Sequence, residues 1–139
     1  MIALDTNVLA RFYVEDERDP EAARQRKIAQ RVLAQTPALF VARSVVLELE
    51  WVMRGFYRFA PAPIADALEH LLGLPNVTVE DRSLVEAAVV NFRRGLDFAD
   101  ALHLAASGAC TEMLTFDRRR FSARANRLGL APACTVPGR

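Results

Sequence analysis

Four carboxylates are spread along this chain, each beside an apolar run. Asp5 closes the opening segment Met1-Ile2-Ala3-Leu4 and is followed by Thr6-Asn7. Glu48 sits in Val45-Val46-Leu47-Glu48-Leu49, and Asp100 in Asp97-Phe98-Ala99-Asp100-Ala101-Leu102-His103. Asp117 follows Met113-Leu114-Thr115-Phe116. An ionised carboxylate next to apolar packing is costly unless a cation or hydrogen-bond donors compensate it. Several held together would repel one another until some took up protons. A hard divalent ion removes that penalty, and Mg²⁺ or Mn²⁺ bind oxygen ligands of this kind. Such an ion supplies hydroxide from bound water and neutralises a phosphoryl group under attack. Metal-dependent phosphodiester hydrolysis is the reaction these residues support.

Competing chemistries lack their parts. No Ser/His/Asp set, phosphate-binding Gly motif or zinc-type His/Cys spacing occurs. A phosphatase using Asp5 as nucleophile would want a second acid two residues on, where Asn7 stands. A phosphoryl-accepting receiver needs a downstream lysine, and the only lysine is Lys27.

The elements that must position the acids can be read from the apolar pattern. Residues 1–5 read as a short buried strand ending in Asp5, and Asn7 as the cap of a helix through Tyr13. After a charged loop, a helix starts near Asp19-Pro20. Ala38–Val41 is a second strand, and Ser44 caps the helix that carries Glu48. On that helix Val45, Leu49, Val52 and Phe56 form the expected core stripe, with Glu48 at its border. Glu50 lies about 200° from Glu48 at about 100° per residue, so only one of the two can enter a site, and Glu50 is assigned to Arg54 at i+4.

Pro61 and Pro63 open a helix facing inward through Ile64, Leu68, Leu71 and Leu72, which Gly73 and Pro75 end. Val77–Val79 is a strand. Residues 82–93 form a helix burying Leu84, Val85, Ala88, Val89 and Phe92; another runs from Asp97 to about Gly108. Met113–Phe116 and Ala133–Val136 are the last strands. Strands alternating with helices predict an α/β fold with a parallel sheet covered on both faces. Ligands of such sheets bind at the carboxyl ends of strands, where Asp5 and Asp117 fall.

Asp97 reads first as a helix N-cap, whereas a second carboxylate one turn in, Asp100, adds repulsion without adding a cap. Thr6, Asn7 and Thr115 stand beside the acids and could hydrogen-bond them, although Asn7 and Thr115 read equally as cap and strand residue. His103 reads as a core histidine before a substrate contact. Trp51 and the tyrosines read as packing rather than base-stacking platforms.

At 139 residues the chain is long enough for one self-sufficient domain, spanning 1–139. A hydrophobic share of 52% with 25% charged residues argues against disorder. No apolar run reaches the roughly 18 residues a membrane span needs. The opening Met-Ile-Ala-Leu-Asp has no basic leader, so a cytoplasmic protein is expected, with Cys110 and Cys134 reduced and buried. Net charge is +1, and 17 of the 18 basic residues are Arg. Arg118, Arg119, Arg120, Arg124 and Arg127 follow Asp117. Arg118 and Arg119 read either as a flank that draws a polyanion to the acids or as a solvated helix face.

Leu4-Asp5-Thr6-Asn7-Val8-Leu9, Leu47-Glu48-Leu49-Glu50-Trp51-Val52, Asp97-Phe98-Ala99-Asp100-Ala101-Leu102 and Thr115-Phe116-Asp117-Arg118 stand in the order typical of PIN-domain ribonucleases. The chain resembles the VapC toxin branch of bacterial type II toxin–antitoxin systems over nearly its whole length. The resemblance implies a three-layer α/β/α sandwich and a Mg²⁺- or Mn²⁺-dependent endoribonuclease. It maps an acidic quartet onto Asp5, Glu48, Asp100 and Asp117, with Asp97 as a helper ligand. It further implies a homodimer, a cognate antitoxin occluding the active site, and tRNA or rRNA as substrate. A PIN-like binding module without catalysis is the non-enzymatic alternative, against which the intact quartet argues.

Overall fold

All strands among the described residues pair in parallel, and each is only two or three residues long. The computed structural model describes residues 1–138, in two compact units, residues 1–82 and 83–138. In the first unit β1 (Ile2–Ala3), β2 (Leu39–Val41) and β3 (Val77–Val79) form one sheet in that order. Ile2 faces Leu39 and Leu39 faces Val77 in the ladder. Parallel neighbours need long crossovers. Here α1 (Thr6–Tyr13) and α2 (Pro20–Gln35) supply the first, and α3 (Arg43–Gly55) and α4 (Pro61–Gly73) the second. The second unit holds α5 (which spans Arg82–Arg93), α6 (Phe98–Ala106), β4 (Glu112–Leu114), a π-helical turn at Arg118–Ser122, α7 (Ala123–Arg127) and β5 (Ala133–Thr135). β4 and β5 pair with Met113 opposite Cys134. The α/β class with parallel strands is therefore as the alternation of elements predicts.

Local chemistry explains most boundaries. Asp19 caps α2 by accepting from the Glu21 N–H at 3.0 Å, with Pro20 at the first helical position as expected. Asn76 donates to the carbonyls of Leu33 and Thr36, both at 2.9 Å, which ties the end of α2 to the start of β3. Between α5 and α6 the chain turns at Gly95 with φ +102°, a backbone conformation that a Cβ would strain. Two expected caps differ. Asp5, not Asn7, caps α1, and Ala42 precedes α3 with no side-chain cap bond, so Ser44 lies inside that helix.

The larger correction concerns the face that α3 buries. Its buried positions are Val46, Leu49, Glu50 and Met53, not the stripe of Val45, Leu49, Val52 and Phe56. Val45 and Val52 are half-buried, and Phe56 is exposed. Both sets have helical spacing, because Val45-Val46-Leu47 and Trp51-Val52-Met53 are apolar at consecutive positions. Packing within the fold selects between them. Glu50 is only 1% exposed, and Arg54 Nε donates to its Oε2 at 2.8 Å, the i+4 pairing expected. A buried carboxylate needs such a partner. Burying Glu50 leaves Glu48 outward, away from the buried face rather than at its border.

Smaller departures follow the same logic. β1 is exposed at Ile2 and Ala3, and burial begins at Leu4. Leu84 is half-buried, while Val85, Ala88, Val89 and Phe92 are buried as expected. His103 is exposed rather than a core histidine, because the buried face of α6 is Phe98, Ala101, Leu102 and Leu104. Cys134 is buried and Cys110 is exposed, both as free thiols.

Candidate active site

Within the first unit, Asp5 and Glu48 line one cavity of about 400 Å³. Asp5 follows β1 and Leu4, and its Oδ1 accepts the Thr6 N–H at 2.8 Å, which makes it the cap of α1. This bond uses one carboxylate oxygen and orients the side chain. The hydroxyl of Thr6, which also lines the cavity, is buried and has no hydrogen-bond partner. Asn7 is exposed on the same wall. Glu48 reaches the cavity from α3 together with Trp51 and Val52, three and four residues on and so on one face of the helix.

Sequence reasoning missed several of the remaining lining residues. Trp51 is exposed rather than packed, and Phe56 and Tyr57 join it around the cavity. The i+3 spacing from Glu48 was the available signal. Arg11 also lines the wall and is tied down there, donating to Gln25 Oε1 at 2.9 Å and to the Tyr57 hydroxyl at 3.1 Å.

Within the second unit, Asp97 caps α6, its Oδ2 accepting the Asp100 N–H at 3.3 Å. Asp117 caps the π-helical turn, its Oδ1 accepting the Arg120 N–H at 2.9 Å. The Thr115 hydroxyl accepts the Asp117 N–H at 3.0 Å and so braces that residue through its backbone. The turn is anchored by buried Phe121 and by Ser122, whose hydroxyl donates to the Cys134 carbonyl on β5 at 3.0 Å. Asp100 makes no cap. Its carboxyl is raised to about 6, chiefly by burial and then by Asp97 and Asp117, while His103 opposes them. This is the behaviour of an acid held against its ionisation by neighbouring acids.

Asp5, Asp97 and Asp117 thus share one design. In each, one oxygen accepts a backbone N–H at a helical start, where the dipole tolerates negative charge. The cap reading and the ligand reading of Asp97 are therefore compatible. Burial is less than the apolar surroundings suggest: Asp5, Glu48 and Asp117 are exposed, and Asp97 and Asp100 are half-buried. Among the described residues, no group of three or more His, Cys, Asp or Glu side chains is set at metal-holding distance. The donor set nevertheless suits a hard cation in its chemistry. All donors are carboxylate oxygens, and Asp100 carries an unfavourable charge that a cation would relieve.

Arg118, Arg119 and Arg120 are exposed beside Asp117. Arg124, by contrast, is half-buried and donates to the Gly95 carbonyl at 3.0 Å, a structural role within its unit. No helix among the described residues is long and apolar enough to cross a membrane. The sequence profile of the PIN domain matches residues 2–126. A search of curated proteins returns no match.

Proposed function

Because this chain belongs to the PIN-domain family, whose members are typically metal-dependent nucleases, we propose that it is a Mg²⁺- or Mn²⁺-dependent endoribonuclease of the VapC toxin type. In this reading Asp5, Glu48, Asp100 and Asp117 are the catalytic acids, Asp97 assists, and residues 1–139 act as one nuclease domain. The observation that carries it is the state of Asp100, an acid raised to about 6 by burial and by Asp97 and Asp117. Such an arrangement is unfavourable by itself and becomes favourable with a cation and a phosphodiester.

Asp5, Asp97, Asp100, Asp117 and Glu48 would hold the ion through carboxylate oxygens. When bound, Mg²⁺ or Mn²⁺ lowers the pKa of water and offsets charge on the phosphoryl group. The chain's own contribution is orientation and proton handling. Thr6 N–H fixes the Asp5 carboxylate and Arg120 N–H fixes that of Asp117, so neither must be ordered when RNA arrives. While no cation is bound, Asp100 holds a proton more readily than an ordinary carboxyl, being raised to about 6 by burial and then by Asp97 and Asp117. Thr115 and Asn7 support the acids from the side.

The substrate in this reading is RNA, tRNA or rRNA, cut in the bacterial cytoplasm, with a cognate antitoxin and a homodimeric toxin as the assembly. Induced expression of the wild-type chain should arrest growth, and co-expression of the adjacent open reading frame should restore it. Expression of Asp5→Asn should be harmless, and Asn keeps the cap acceptor for Thr6, so the variant stays folded. Growth arrest that persists undiminished in a folded Asp5→Asn chain would remove the nuclease from the toxicity.

The exposed arginines carry a separate expectation. Replacing Arg118 and Arg119 by Ala should weaken RNA binding across sequences. The slope of log affinity against log salt should fall by about 1–2, as for one or two lost phosphate contacts. An unchanged slope would make these side chains solvation only.

A further inference from the structure

Trp51 is the only tryptophan of the chain, and 61% of it is exposed. The indole Cε2 lies 4.0 Å from where a Cβ on Gly55 would stand, an ordinary contact, so the ring lies along the helix over that glycine. Phe56, 73% exposed, lines the same cavity as Trp51, Asp5 and Glu48. Its ring meets Tyr57 edge-on at 4.8 Å, and the Tyr57 hydroxyl is held by Arg11. Leaving two large aromatic side chains in water forfeits about 1.5–3 kcal/mol of burial for each. Nothing in the packing of α3 requires this, because Val46, Leu49 and Met53 already supply its buried face.

The surroundings select the occupant. Beside the rings, Asn7, Asp16, Asp19 and the two acids Asp5 and Glu48 border the same cavity. An apolar protein face laid there would strip water from these acids without replacing its hydrogen bonds. A nucleobase fits better. It offers a flat π-face to an indole, and its edge carries amino groups that donate to carboxylates. A volume of about 400 Å³ falls within the roughly 300–1,000 Å³ of small-ligand sites. A base inside a duplex has both faces covered by its neighbours, so only an unpaired base can stack on a side chain.

We propose that Trp51, backed by Phe56, stacks an unpaired base of the RNA held at the Asp5–Glu48 cavity. This inference rests on the nuclease reading above. The single tryptophan reports the contact without any need for catalysis. With Ca²⁺ in place of Mg²⁺ or Mn²⁺ and at low salt, a single-stranded oligoribonucleotide of about eight residues should bind and quench Trp51 emission, whereas a duplex of the same sequence should not. Trp51→Ala should bind the labelled strand about 5- to 100-fold more weakly, and Trp51→Phe, which keeps a ring, within about threefold of wild type.

Binding without quenching, equal quenching by the duplex, or wild-type affinity in Trp51→Ala would each overturn the proposal. So would an emission shift with protein concentration alone accompanied by dimerisation in the ultracentrifuge, which would give the face to a second copy. Cleavage of RNA with unquenched Trp51 rejects the platform and leaves the nuclease. Quenching without metal-dependent cleavage keeps the platform and rejects the nuclease.

Discussion

Asp100→Asn should reduce RNA cleavage by about two to three orders of magnitude and, in the same protein without metal, raise the melting temperature at pH 7. The first effect follows if Asp100 is one of the carboxylates that hold the ion, as proposed above. The second follows from the charge this acid carries at neutral pH. Its carboxyl rises from an ordinary value of 3.8 to about 6 in the folded chain, chiefly through burial and then through Asp97 and Asp117. For a folded pKa raised above the unfolded one, this acid's contribution to stability is full below about pH 4 and is lost as pH rises through about 6.

A shift of about two units corresponds to about 3 kcal/mol, but the half-buried side chain is partly screened by water, so about 1 kcal/mol is the expected gain for Asn. That amounts to about 3 °C in a chain of this size. The difference in melting temperature between the two proteins should vanish near pH 4 and grow toward pH 7. Undiminished cleavage by the folded variant would take Asp100 out of the site. Equal melting temperatures at pH 7 would mean that its charge is already compensated.

Removing divalent ions with EDTA should abolish cleavage outright, and Mg²⁺ or Mn²⁺ should restore it. The same ions should stabilise the wild-type chain, because binding to the folded state alone adds about 2.7 kcal/mol at a hundred times the dissociation constant. The stabilisation should be much smaller in Asp100→Asn, where the repulsion that favours the cation has been removed. Calorimetry of both proteins with and without Mn²⁺ measures this. Persistent cleavage in EDTA, or equal Mn²⁺ stabilisation of the two proteins, would contradict a cation held by these acids.

The acids themselves were legible because unusual residues stand out against apolar runs and because their order along the chain matches one family's. The helix carrying Glu48 shows where legibility ended. That Glu48 and Glu50 cannot share one site followed from angle alone, as about 200° on a helix is a property of the backbone, and Arg54 at i+4 claimed Glu50. Which apolar stripe turns inward did not, since Val45/Leu49/Val52 and Val46/Leu49/Met53 satisfy the same periodicity. Trp51 and His103 were misplaced for the same reason: each lies off the buried stripe of its helix, Val46, Leu49, Glu50 and Met53 in α3 and Phe98, Ala101, Leu102 and Leu104 in α6.

Local rules, acting over one to four residues, were enough for the sequence by itself to determine the order of strands and helices, the Asp19-Pro20 helix start and the Glu50–Arg54 pair. Capping, periodicity and i+4 pairing need no knowledge of distant segments. Tertiary structure alone decided which stripe of α3 turns inward, that Trp51 and Phe56 face water beside Asp5 and Glu48, and that Asp117 presses on Asp100. Each of those depends on how separate elements pack against one another, and burial and electrostatic fields exist only once that packing has brought distant residues together.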